Sequence, residues 1–408
     1  MTKILFICDY FGKSMSANGV CLQNIINAFE HSEFEVHVMA RRDRNETREE
    51  IINGVHVHRY NGSFYYKMLR YSQSYPKTTT GKLAFFLTRL MGIRMVLFLP
   101  FYPMRDPFLV NRCGRKAIQL HRKMNFDMII GTYNPLESVL ALTKIKKQFP
   151  NRVKTCSYFL DTLSNETPHR FLSKEFINKQ GRKYEKNIFE HSDLVLNMLY
   201  HENHFKSSVY DEYCGKMKFV DLPVLKQREK TINSENIEKH QTNAVYTGIV
   251  RVDTFSYIIS VFEKTENITF HVYSSSQLSG FNSDILIKHG QVSYEEAITA
   301  QNNSDVLISM GNKDSDYVPS KIFEYMSTGK KIIHFCYGDN DSCIRYYKKY
   351  NNALIIDVND ETEKNALKIN EFINNDTDII PFSQLKEIFK DNLPEETVAI
   401  LKNLTEEQ

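Results

Sequence analysis

Asp314-Ser-Asp-Tyr-Val-Pro-Ser-Lys-Ile-Phe-Glu-Tyr-Met-Ser-Thr-Gly-Lys-Lys-Ile-Ile-His-Phe335 reads as a polar loop, a helix starting near Pro319, a glycine stop at Gly329 and then a strand. Proline suits a first helical turn, because its missing N–H would have no intrahelical partner there. The free amides of such a start, with the positive end of the helix dipole, suit a phosphate group. Ser320 and Lys321 add a hydroxyl and a cation. Glu324 falls four residues after Ser320 and projects on the same side, one turn deeper, where a carboxylate can accept both hydroxyls of a ribose. A capped helix with a solvated glutamate would carry the same Pro-Ser-x-x-x-Glu spacing.

Outward from this segment, short apolar runs rich in β-branched and aromatic residues alternate with helical patterns, which predicts parallel sheets built from βαβ units. The first series is Ile4–Cys8, Glu35–Ala40, Val55–Tyr60, Asp127–Thr132, Lys154–Leu160, Asp193–Asn197 and Lys218–Leu222. The second is Ala244–Thr247, Ile268–Tyr273, Ile285–Ile287, Val306–Met310, Lys331–Phe335 and Leu354–Val358. Between them, residues 226–242 are polar and lack a periodic apolar face, as a linker does. The expected organisation is therefore a Rossmann-like domain over 1–225, the linker, a second Rossmann-like domain over 243–382 and a helical tail over 383–408.

The 408 residues and 42% hydrophobic content fit two cores rather than one. A formal net charge of +3 gives no global field for polyanions, so nucleic acid is not an expected partner. The cysteines are scattered, with no Cys-x-x-Cys pair, which suits a reducing compartment and no zinc site. No His-x-x-x-His occurs in the sequence, and no metal is expected. The N-terminal Met-Thr-Lys-Ile-Leu-Phe-Ile reads as a first buried strand rather than a secretion signal, and the expected location is the cytoplasm. Gly-x-Gly-x-x-Gly is absent, which disfavours a dinucleotide-dependent dehydrogenase.

Val318-Pro-Ser-Lys-Ile-Phe-Glu-Tyr-Met-Ser-Thr-Gly-Lys330 resembles the donor-binding motif of family-4 (group 1) retaining glycosyltransferases, of the kind encoded in bacterial capsule, exopolysaccharide and O-antigen clusters. The resemblance implies an α/β protein of the GT-B type, with two Rossmann-like domains whose parallel sheets face across a cleft and a C-terminal helix closing back on the N-terminal domain. It implies two acidic residues eight positions apart. Glu324 matches the second, which binds the ribose, and Asp316, a shorter acid, matches the first, which faces the donor sugar. Val245-Tyr-Thr-Gly-Ile-Val-Arg251 resembles the loop in which a basic residue neutralises the donor diphosphate. There Gly248 would supply the turn and Arg251 the charge, although by residue type alone Arg251 is equally a surface arginine.

Further marks of the family follow. Lys288-His-Gly-Gln-Val292 resembles the loop around the nucleotide base, with backbone contacts at 290–292. Ser16-Ala-Asn-Gly19 resembles the glycine loop after the first strand, where the Gly19 amide approaches donor phosphate and acceptor. Lys183-Tyr-Glu185 resembles a late N-terminal-domain helix, with Glu185 structural. The family's histidine after the fourth strand has no counterpart in Gly131-Thr-Tyr-Asn-Pro135. Tyr133, Asn134 and Glu137 lie where an acceptor or sugar is contacted. Asp161, at the end of the next strand, is placed for ligand contact at a carboxyl edge or for capping a helix.

Between the third and fourth expected strands lies an insertion rich in aromatic and basic residues. Over 82–105 it has the composition of an interfacial segment that meets anionic lipid, and equally that of a core helix on the sheet. Its longest apolar run, Met95–Met104, is too short to span a bilayer. The expected activity is metal-independent, retaining hexosyl transfer from a nucleotide-sugar, with UDP the commonest carrier among relatives. The expected acceptor is a saccharide, lipid-linked if the insertion meets membrane. The alternatives are a catalytically inactive GT-B-like binding subunit of a polysaccharide assembly complex and a nucleotide-sugar epimerase.

Overall fold

The computed structural model describes residues 1–12, 17–43, 46–96, 98–104, 106–164, 172–228, 241–311 and 318–406. The chain forms two compact units, Met1–Pro223 with Pro394–Gln408, and Val224–Leu393.

The first unit contains strands β1 (Thr2–Ile7), β2 (Phe34–Arg42), β3 (Glu49–Ile52), β4 (Val55–Asn61), β5 (Met128–Tyr133), β6 (Lys154–Phe159), β7 (Leu194–Met198) and β8 (Met217–Val220). They form one sheet in the order β3-β4-β2-β1-β5-β6-β7-β8. Every pairing is parallel except β3 with β4. The helices are α1 (Ala17–Asn27), α2 (Phe64–Ser74), α3 (Thr79–Val96), α4 (Pro107–Met124), α5 (Leu136–Gln148), α6 (Lys174–Glu190) and the short α7 (Glu202–Phe205).

The second unit contains β9 (Thr242–Thr247), β10 (Ile268–Tyr273), β11 (Leu286–Gly290), β12 (Val306–Met310), β13 (Lys331–Cys336) and β14 (Ala353–Asp357). These form an all-parallel sheet in the order β11-β10-β9-β12-β13-β14. Its helices are α8 (Val252–Phe262), α9 (Tyr294–Asn303), α10 (Lys321–Met326), α11 (Ile344–Tyr347), α12 (Thr362–Asn374) and α13 (Phe382–Ile388). The last helix, α14 (Pro394–Glu406), packs on α1 in the first unit.

Both expected strand series are present, because parallel strands covered on both faces must be apolar throughout. Strands β5, β7 and β12 are buried at every position. The strand absent from the sequence reading is β3, Glu-Glu-Ile-Ile, a half-exposed antiparallel edge too short and too polar to stand out.

Three further differences concern helices. Residues 383–393 stay with the second unit, and only Pro394 onward joins the first. Helix α10 is six residues long, and Pro319 precedes it rather than sitting in its first turn. Pro319 instead closes a turn, its carbonyl accepting from the Ile322 amide at 3.2 Å. Helix α3 leans on α2 rather than on the sheet. Of the expected linker, 229–240 lie outside the described residues.

Gly329 ends the α10 segment with φ +71, and a side chain there would put its Cβ 2.2 Å from the Ile380 carbonyl oxygen. That position therefore accepts glycine on two independent grounds. At the other boundary, Leu225 donates its amide to the Asn392 carbonyl at 3.1 Å, so the first and last strands of chain in the second unit are tied together.

Candidate functional site

Ligands on open α/β sheets collect at the carboxyl ends of the strands, and in the second unit that edge gathers a polar cluster. Strand β9 ends in buried Thr247, whose amide donates to the Tyr325 hydroxyl at 3.0 Å. The Thr247 hydroxyl accepts from Gln301 Nε2 at 2.7 Å and from Lys321 Nζ at 3.3 Å. Gln301 in turn accepts from Arg228 Nη1 at 2.7 Å. Arg228 and Lys321 thereby stand on either side of Glu324, with Arg228 Nη2 4.0 Å and Lys321 Nζ 3.7 Å from Oε2. Both separations count as ion pairs but exceed hydrogen-bond reach. Glu324 Oε2 is accordingly a buried acceptor with no hydrogen-bond partner among the described residues. Burial holds the Arg228 guanidinium below its ordinary value, with Glu324 pulling the other way.

Beside this cluster, Gly248 turns the chain out of β9 at φ +151 and donates its amide to Tyr273 O at 3.0 Å. A side chain at that turn would press its Cβ to 3.1 Å from the Tyr246 hydroxyl. Arg251 is exposed, and its Nη1 donates to the Gly311 carbonyl at 2.8 Å, just beyond the end of β12. Gly290 ends β11 at φ +74, and Ser293 then opens α9 with a capping box to Glu296. Tyr294, half exposed at that helix start, stands close enough to Glu324 and Arg228 to feel both charges.

The first unit carries its own cluster at the same edge of its sheet. Arg41, near the end of β2, donates through Nη2 to Glu137 in the first turn of α5 and lies 3.1 Å from Asp9 Oδ1. The guanidinium also sits over the Tyr66 ring at 4.5 Å. Burial raises the Asp9 carboxyl to about 6, with Arg41 opposing the rise and Glu137 adding to it. Asp9 and Arg41 line a cavity of about 480 Å3 together with Tyr66, Phe108, Asn134 and Glu137. A smaller recess beside it is lined by Asp9, Asn18, Gly19, Thr132 and Asn134.

No protein-family model matches the chain, and no curated protein matches it by sequence. Solved structures do match it in shape. TarM superposes with a TM-score of 0.58 at 11% identity, covering 99% of this chain and 99% of TarM. The UDP-GlcNAc 2-epimerase of Methanocaldococcus jannaschii gives 0.56 at 11% identity, covering 98% of this chain and all of that one. The α,α-trehalose 6-phosphate synthase of Burkholderia multivorans gives 0.56 at 9% identity over 99% and 96% of the two chains. The chain has the GT-B fold.

The residues expected from sequence distribute over the two GT-B domains as follows. Glu324, Lys321, Ser320 and Pro319 share one segment of the second domain, and Gly248 and Arg251 share the turn after β9. Ser320 makes no side-chain capping bond. Asp316 lies outside the described residues. In the first domain, Gly19 and Asn134 share the small recess, and Tyr133, Asn134 and Glu137 line the large cavity. Tyr133 is buried against Phe159, with ring centroids 5.5 Å apart. The Glu137 carboxylate is engaged by Arg41. Asp161 stands two residues beyond β6, half-buried, and is not among the described residues lining that cavity.

Buried Glu185 accepts from the amides of Leu163 at 2.8 Å and Ser164 at 3.2 Å, so it pins the loop that follows β6. Burial alone would raise its carboxyl, but the bonds from His204, Tyr210 and Ser164 hold it below the ordinary range. Sequence reading missed Arg228, which sits in the polar stretch taken as a linker, and missed Asp9 and Arg41. An aspartate directly after the first strand, at a carboxyl edge, was the available signal for Asp9. The fold also gathers buried His334, Asp341 and Cys343. Asp341 is bonded to His334 Nε2 at 3.2 Å and to the Cys343 amide at 2.8 Å, and burial keeps Cys343 a thiol.

Proposed function

We propose that the protein is a glycosyltransferase that moves a hexose from a nucleotide-sugar, with retention, onto a lipid-linked saccharide in cell-surface polysaccharide assembly. The observation that carries this reading is the Glu324 carboxylate, whose buried Oε2 has no hydrogen-bond partner among the described residues and lies 4.0 Å from Arg228 and 3.7 Å from Lys321. A buried acceptor left unmade is costly, and a ribose hydroxyl would supply a donor to it. The cations beside it suit the diphosphate of the same ligand.

In this reading the donor's diphosphate is met by Lys321, Ser320 and Arg251, its ribose by Glu324 and its base by the turn at 290–292. Pro319 and Gly248 shape the chain around it. The Gly19 amide meets phosphate or acceptor in the first domain, and Tyr133, Asn134, Glu137 and Asp161 serve the acceptor side. The reaction needs no resident metal, because fixed cations and amides stabilise the leaving diphosphate. Retention follows if that diphosphate oxygen takes the acceptor's proton on the face it leaves. A cytoplasmic location suits a nucleotide-sugar donor, with UDP the carrier to test first.

Thermal-shift measurements across UDP-, GDP-, ADP- and dTDP-linked sugars test the reading. One donor should raise the melting temperature above the rest, and incubation with it should release free nucleoside diphosphate. Equal or absent stabilisation by all of them removes the proposal. Stabilisation with isomerised sugar and no diphosphate release replaces it with epimerisation.

A further inference from the structure

Helix α3 is built inside out. Its inner face, against α2, carries Gly81, Ala84 and Thr88, the last two only 1% and 4% exposed. The contact is close, since a Cβ on Gly81 would lie 1.8 Å from the Tyr75 carbonyl oxygen. Thr88 folds its hydroxyl back to Phe85 O at 2.7 Å, so the helix satisfies it internally. The outer face carries Leu83, Phe86 and Leu90 at helical spacing, 59%, 58% and 47% exposed, with Phe85 beside them at 50%. A water-facing helix places its large apolar residues inward, and this one does the reverse.

The surrounding chain has a charge pattern to match. Between Ile51 and Arg105 there is no aspartate or glutamate, while Lys67, Lys77, Lys82 and Arg89 are exposed. Arg89 lies over the Phe85 ring at 5.1 Å, so one of these cations stands directly on the exposed apolar face. Exposed apolar side chains on a segment that carries exposed cations and no acid complement an anionic bilayer surface. No described helix is long and apolar enough to cross a membrane, so insertion would be limited to the interface.

We propose that the α2–α3 hairpin docks the first domain on an anionic lipid bilayer, with Leu83, Phe86 and Leu90 entering the headgroup boundary. The hairpin also walls the 480 Å3 cavity, through Ser63, Phe64, Tyr66 and Met91. Phe64 and Phe108, each 63% exposed, stand among the lining residues of that cavity. An acceptor held in the bilayer thus reaches the polar end at Asp9 and Glu137 along an apolar wall. This deepens the transfer reading by placing its acceptor at a membrane, yet vesicle binding needs no donor and is measured separately.

The chain contains no tryptophan, so Phe86→Trp creates a single reporter. Its emission should shift to the blue on vesicles of phosphatidylcholine with phosphatidylglycerol, and brominated lipids should quench it. A triple variant, L83D/F86D/L90D, should bind these vesicles in flotation roughly tenfold or more weakly than the parent, with unchanged circular dichroism and melting. High salt or purely zwitterionic vesicles should weaken the parent's binding. Absent flotation of the parent on anionic vesicles overturns the proposal, as does unchanged binding by the folded triple variant. A parent that self-associates in solution, and a triple variant that is monomeric, would give the stripe to a second copy of the chain instead. Donor turnover in detergent solution is expected to be unaffected by the triple variant, so loss of transferase activity and loss of docking are separable.

Discussion

The carboxyl edges of the two sheets hold similar charged groups at different separations. In the first domain, one arginine and two carboxylates converge until Arg41 is in direct contact with Glu137 and 3.1 Å from Asp9, whose Oδ1 still lacks a hydrogen bond among the described residues. In the second, two cations flank Glu324 at 3.7 and 4.0 Å and leave its oxygen without a hydrogen bond. The guanidinium in contact with Glu137 has recovered part of its desolvation cost and acts as scaffold. Charges held apart by Gln301 and Thr247 have not recovered it, and a ligand that bridges them would.

The largest effect should come from breaking the closed cluster. Arg41→Met leaves Glu137 and Asp9 without the one cation that engages both and should cost about 3 to 5 kcal/mol of stability, read by urea unfolding. A loss below about 1 kcal/mol would mean the cluster carries no structural load. Breaking the open cluster should behave differently. Glu324→Ala should lower stability by less than about 1 kcal/mol, while weakening nucleotide-sugar binding by the roughly 1.5 to 3 kcal/mol of a charge-assisted hydrogen bond. Calorimetric titration with the donor found by thermal shift measures it, and unaltered affinity would take Glu324 out of the site.

The smallest effect is a change of slope. An unfolded aspartate titrates near about 3.9, and burial raises Asp9 to about 6. The folded state therefore holds the proton across that window, and the stability it contributes is full below about pH 4 and lost as pH rises through about 6. Asp9→Asn should flatten the fall in stability over this range, in melts taken at stepped pH. A slope identical to the parent's would show that Asp9 is ionised throughout.

Much of the second site was legible because its parts are local. Ser320, Lys321 and Glu324 lie within five residues, and spacing alone puts them together. Arg228 was not legible, since it reaches Glu324 from 96 positions upstream on a segment with no apolar period. The Asp9, Arg41 and Glu137 cluster likewise depends on three separate elements meeting at the end of the sheet. The strands declared themselves by burial on both faces, whereas α3 did not declare its orientation. A helix with apolar residues on most sides carries little period, and only the fit of Gly81 against Tyr75 O fixes which face turns inward.

The last helix bears on the order in which the protein is made. Strands β1 to β8 leave the ribosome first, yet α14, which packs on α1 and sets Lys402 3.1 Å from Glu33 and over the Phe34 ring, is translated after the whole of the second domain. The first domain to emerge is thus the last to be completed. For the time needed to synthesise residues 224–393, the face of α1 awaiting Val398 and Leu401 has no native cover, a period in which nascent-chain chaperones would find a binding surface there.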